Sequence, residues 1–182
     1  MRRLIVALAL ALAACGGDSD TGAGLRLADF PSGWTQYGKR EERTTCKSVA
    51  AAKETATDYD RSPDFEKREG LIAQSTVFRF KDEAAARAGF KTLAGEGTAE
   101  CLAASLGAPR ATRFDIAAVG DERAALRATV PATKGHPGGV FDLVFVRSGT
   151  GVAELVLAGV KFPFDQRLRE QLTAKVAKRL NT

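Results

Sequence analysis

The alternation of apolar and polar positions predicts a run of strands between residues 71 and 160. Within Ser75–Phe80, Thr76, Phe78 and Phe80 fall on one side of an extended segment, Val77 and Arg79 on the other, and strand character begins at Leu71. Residues 112–119 and 123–130 read as two further strands joined through Gly120-Asp121-Glu122. Residues 139–147 and 152–160 read as a hairpin closed by Ser148-Gly149-Thr150-Gly151. A different period marks the helices. Ala86, Phe90 and Leu93 recur at helical spacing within 83–94, with Asp82 placed to cap them; Leu168, Leu172, Val176 and Leu180 form one apolar stripe along 165–180. Shorter helices are expected over 45–56, with Thr45 as cap, and near 99–106.

Between these elements the chain is turn-rich. Asp29-Phe30-Pro31-Ser32-Gly33-Trp34 is a turn whose flanking Phe30 and Trp34 anchor it to the core. Asp58–Glu69 is polar and contains Pro63, which reads as a loop; Pro131–Gly138 is another. Helices grouped before and after an antiparallel sheet of about five strands make an α+β domain, with no internal repeat and no second domain boundary.

The one apolar run that belongs to neither period is Leu4–Ala14. Arg2 and Arg3 precede it, small residues end it, and it is too short for a spanning helix, which needs about 20 apolar residues. It reads as an export leader. Leu12-Ala13-Ala14-Cys15 resembles a bacterial lipobox, which implies that residues 1–14 are removed and that Cys15 becomes the acylated first residue. An ordinary secretory signal with an incidental cysteine is the rival reading. Residues 15–24 lack any large apolar side chain and read as a flexible tether with a reach of roughly 15–18 Å. The domain then occupies 25–182.

Charge changes the picture little. The 27 basic and 22 acidic residues give +5, and loss of Arg2 and Arg3 with the leader lowers this by two, to +3. No block of five like charges occurs, so a nucleic-acid partner is not expected. Cys46 and Cys101 remain once Cys15 is set aside. Two thiols in an exported protein read as one disulfide; a metal site is the competing reading, but it needs further soft or imidazole ligands and His136 is the only histidine.

Candidate chemistry is sparse. Gly33–Lys39 matches seven positions of a phosphate-binding loop, but Arg40 stands where the magnesium-binding Ser or Thr belongs, so the match is read as chance. His136 lies in a glycine-proline turn with no partner in sequence to make it a base. There is no G-x-S-x-G, S-x-x-K or H-E-x-x-H, and no cofactor motif. Asp121-Glu122 reads as a turn rather than a metal-binding pair. Four charges fall in mid-strand: Arg79, Arg127, Asp142 and Glu154. They mark either a solvent-facing sheet surface with weak cross-strand ion pairs or a polar groove that takes a ligand.

The order of landmarks carries a resemblance. The Asp29–Trp34 opening, a cysteine before a helix (Cys46), a second cysteine after the first strand and helix (Cys101), Gly120-Asp121-Glu122, and Val146-Arg147-Ser148-Gly149 followed by a strand and a terminal helix are together similar to one family. It is the extracellular sensor domain of actinobacterial PknH-type Ser/Thr receptor kinases, with its free-standing lipoprotein relatives. The resemblance spans roughly residues 25–182. It implies an antiparallel sheet flanked by helices and a cleft for an unidentified ligand. That sensor domain has two disulfides where this chain has cysteines for one, and the expectation is that no kinase or spanning helix accompanies it here.

The expectation is therefore a non-catalytic lipoprotein, held on the extracytoplasmic face of a membrane by Cys15, whose domain binds a small molecule or another envelope protein. Two alternatives make different demands. A carrier of apolar ligands or lipid requires a large enclosed cavity. A carboxylate-dependent cell-wall hydrolase requires two acids about 5–9.5 Å apart in a cleft.

Overall fold

A computed structural model describes residues 22–39, 46–135 and 137–182. The expected leader, Cys15, Arg40, Thr45 and His136 lie outside them. Four long antiparallel strands form the centre of one sheet: β4 (Leu71–Arg79), β8 (Gly151–Val160), β7 (Gly139–Ser148) and β6 (Glu122–Val130). The order across the sheet is β1-β3-β4-β8-β7-β6-β5, where β1 is Trp34–Tyr37, β3 Asp64–Lys67 and β5 Ala111–Arg113; β2 (Asp58–Arg61) pairs with β4 off this path.

The antiparallel α+β architecture is as expected, but among the described residues the sheet has eight strands rather than about five. The added strands are short and marginal. Residues 58–69 are not a loop. β2 and β3 lie end to end along one edge of β4, Arg61 opposite Thr76 and Phe65 opposite Ala73. Pro63 falls in the break between them, and Ser62 bridges it by donating its amide to the Ser75 carbonyl and accepting the Ser75 amide on its hydroxyl. An edge tolerates proline and a polar exterior, so edge strands of this kind read as loops. β1 adds to β3 and converts the false phosphate-loop match into a strand. In the other direction, the strand expected over 112–119 is paired only over 111–113. Beyond it, the Phe114 amide still donates to the Ala125 carbonyl at 3.2 Å, after which the chain leaves the ladder, and Phe114, Ile116 and Val119 pack on the core.

Both sheet faces are covered. Helix α4 (Gln166–Leu180) covers one, and its Leu172, Val176 and Leu180 meet Val77, Val144, Ala153 and Leu155. Helices α1 (Lys47–Thr55), α2 (Glu83–Leu93) and α3 (Glu96–Leu106) cover the other, where Phe90 and Leu93 meet Phe78, Phe145 and Val152. Double coverage explains why β8 is buried along nearly its whole length. The caps expected at Asp82 and Asp165 are present: their carboxylates accept the amides of Ala85 and Leu168 at 2.7 Å each. Cys46 and Cys101 are bonded, joining the start of α1 to the middle of α3. Phe30 and Trp34 anchor the first turn as expected, their rings 4.5 Å apart.

The N-terminal segment is fastened to α4. Arg179 donates to the Gly24 carbonyl and to the Asp29 carboxylate, and Lys175 donates to the Asp29 carbonyl at 2.9 Å. Leu25 is buried, its amide bonded to Ser75 Oγ at 2.8 Å.

Candidate functional site

The strand register sorts the four mid-strand charges onto two faces. Arg79, Arg127 and Asp142 face α4; Glu154 alternates with Ala153 and Leu155 and so lies on the opposite face, with Val152. They do not form one groove. Nor is the sheet surface around them solvent-facing, since α4 and α2 cover it and Asp142 is wholly buried. Arg79 stands six residues along the sheet from Asp142, about 20 Å at strand spacing. Its Nη1 donates to the Leu180 carbonyl at 2.7 Å, satisfying the last turn of α4.

Arg127 and Asp142 are brought together directly. They are cross-strand partners, and the guanidinium grips the carboxylate in two bonds, Nε to Oδ1 and Nη2 to Oδ2, each 2.7 Å. That hydrogen bonding raises the Arg127 pKa above its ordinary value against the opposing effect of partial burial, so the group stays charged. A third residue, which strand patterning alone does not point to, completes the cluster. Arg169 of α4 donates Nη1 to Asp142 Oδ2 at 3.0 Å and is 4% exposed. Both guanidinium carbons lie over the Phe114 ring, at 4.7 and 4.8 Å from its centroid. Arg169 falls within the buried stripe of α4 beside Leu172, Thr173 and Val176. A charge within that stripe, together with an unexplained acid in mid-strand, was the available signal.

This cluster forms one wall of a cleft of about 490 Å³ at the start of α4. Arg127 and Arg169 line it from the sheet and the helix; Leu71, Phe162 and Phe164 supply an apolar side, and Glu69 and Asp165 stand at its acidic margin. The chain enters the helix through Lys161, whose φ of 69° is left-handed, and this turn leaves Phe162 63% exposed at the cleft. The cleft is open to solvent rather than enclosed, unlike the cavity a lipid carrier requires. Its two acids already have partners: Asp165 caps α4, and Glu69 faces Lys67 Nζ at 3.6 Å.

Asp121 and Glu122 are held by Arg147, which is buried; its Nη1 is 3.1 Å from Asp121 Oδ2 and its Nε donates to Glu122 Oε1 at 2.7 Å. These bonds fasten the connection before β6 to the β7–β8 hairpin. The pair therefore has a structural partner.

No protein-family model and no curated protein sequence matches the chain. Among solved structures it is similar to the crystal structure of the extracellular domain of PknH from Mycobacterium tuberculosis, with a TM-score of 0.56 and 12% identity over 87% of this chain and 93% of that one. The two share a fold. The likeness agrees with the fold that the resemblance implied, an antiparallel sheet flanked by helices.

Proposed function

We infer that the chain is an extracytoplasmic lipoprotein, anchored through Cys15, whose domain is a sensor-like binding module for a small ligand or an envelope protein. The observation that carries this reading is the likeness in fold, along nearly the whole of both chains, to an extracellular domain of a receptor kinase. The lipobox-like Leu12–Cys15 supports the anchor, and the open cleft walled by Arg127 and Arg169 supports binding. Among the described residues no helix is long and apolar enough to cross a membrane. Two acyl chains at Cys15, each methylene contributing about 0.8 kcal/mol, would hold the domain stably.

The anchor is tested by fractionation. The wild-type protein is expected in the membrane fraction and a Cys15→Ala variant in the soluble one; retention of the variant on membranes refutes the anchor. Binding is tested by native mass spectrometry of protein released from its own envelope, where a reproducible added mass or a co-purified partner is the expected result.

A further inference from the structure

Charge is unevenly matched within the arginine cluster that walls the cleft at the start of α4. Two guanidiniums share one carboxylate. Arg127 uses Nε and Nη2 on Asp142, and Arg169 uses Nη1 on the same group. Among the described residues, Arg127 Nη1 and Arg169 Nε and Nη2 make no hydrogen bond, and the Arg169 Nε is fully buried. Arg127 Nη1, on a side chain one-third exposed at the cleft, is therefore a spare charge-assisted donor that an oxyanion can take.

The two acids that line the cleft keep their charge but make no ion pair with either arginine. Asp165 is engaged with the Leu168 amide, and Glu69 is exposed beside Lys67. The first amides of a 15-residue helix add partial positive charge at the same end of the cleft. Opposite the arginines the wall is apolar, with Leu71, Phe162 and Phe164. A volume of about 490 Å³ lies within the usual range of small-molecule sites, about 300–1,000 Å³.

We propose that this cleft binds a small monocarboxylate with an apolar body, its carboxylate on Arg127 beside the start of α4 and its apolar part against Phe162 and Phe164. Arg169 and Asp142 hold Arg127 in place, and the Phe114 ring backs both guanidiniums. The proposal rests on the reading of the domain as a binding module and names the chemistry of its ligand.

A reporter is built in. Trp34 is the only tryptophan, and its ring lies 5.8 Å from that of Phe164, which lines the cleft. The full chain carrying Cys15→Ala, kept free of detergent, is titrated with 3-phenylpropionate, 3-phenylpropanol, 3-phenylpropylamine and propionate while Trp34 emission is followed. The acid is expected to saturate at least tenfold more tightly than any of the other three. Arg127→Gln should bring acid and alcohol within threefold of each other, and Arg127→Lys should restore part of the gap. Phe162→Ala, on the exposed lip, should weaken the aromatic acid and alcohol alike and leave their ratio unchanged. The proposal is overturned if the amine binds as tightly as the acid, if Arg127→Gln keeps the preference, or if no probe saturates on protein that melts cooperatively. A native ligand of other chemistry overturns the proposal but leaves the binding-module reading standing; no ligand, partner or probe response at all removes both.

Discussion

Arg169 of α4 and Asp142 of β7, 27 residues apart in sequence, are joined by a 3.0 Å hydrogen bond with both side chains buried. That contact ties the terminal helix to the sheet at a point where the sheet already carries Arg127, so one buried carboxylate organises two cations from two elements. Loss of the carboxylate leaves Arg169 buried beside Arg127 with no counter-charge, whereas loss of Arg169 leaves Asp142 its bidentate partner. Asp142→Ala should therefore cost about 3–5 kcal/mol and Arg169→Met distinctly less. The double variant Asp142→Leu/Arg169→Met should recover part of the loss. Urea unfolding of the three proteins checks this order, and equal losses for the two single variants would contradict it.

The disulfide closes a loop between residues 55 apart and joins α1 to α3 on the face away from α4. The chain-entropy argument gives about 4 kcal/mol for such a loop. Cys46→Ala/Cys101→Ala should lower stability by about 2–5 kcal/mol while leaving the emission of Trp34, which packs in the other core cluster, near that of the folded wild type.

Gly120 and Gly97 should respond oppositely to alanine. Gly120 has a φ of +63°, and a Cβ there would lie 2.5 Å from the Arg147 carbonyl oxygen and 2.6 Å from Val146 Cγ2. Gly97 is helical, within α3, and a Cβ would meet nothing within 4 Å. Gly120→Ala should destabilise by more than about 1 kcal/mol, and Gly97→Ala should stabilise by about 0.4–1 kcal/mol. Thermal melts of the two variants side by side test the sign.

Arg79→Met removes the donor to the Leu180 carbonyl while keeping most of the side-chain bulk. A cost of about 1 kcal/mol is expected, concentrated at the end of α4. Hydrogen exchange should show faster exchange of the amides near Leu180 with the β7–β8 amides unchanged; uniform loss of protection would argue against a local cap.

Much of the fold was legible because its central elements are buried in simple ways. β4, β7, β8 and α4 each present a regular apolar pattern to one or both cores, and period alone reveals that. The caps at Asp82 and Asp165 are local chemistry and were equally readable. The edge strands β2 and β3 were not, because their residues are mostly polar and Pro63 interrupts them; they are strands only because β4 offers them hydrogen bonds. The end of β5 failed for the converse reason. Phe114 and Ile116 have strand-like alternation, but after the Phe114 amide the chain leaves the ladder and packs these side chains on the core.

The site shows the same division. Arg127 and Asp142 stood out as charges among apolar neighbours, and opposite register makes them a pair. Sequence also marked Cys46 and Cys101 as partners, since that is a matter of residue type. Which charges meet was decided only in three dimensions. Arg79 and Glu154 looked equivalent to Arg127 and Asp142, yet sheet register sends Arg79 to the end of α4 and Glu154 to the other face. Arg169 joins Asp142 because α4 crosses β7 at that height. A long-range ion pair depends on the packing of whole elements, which no local pattern records; that packing also leaves the open cleft in which two arginines share one acid.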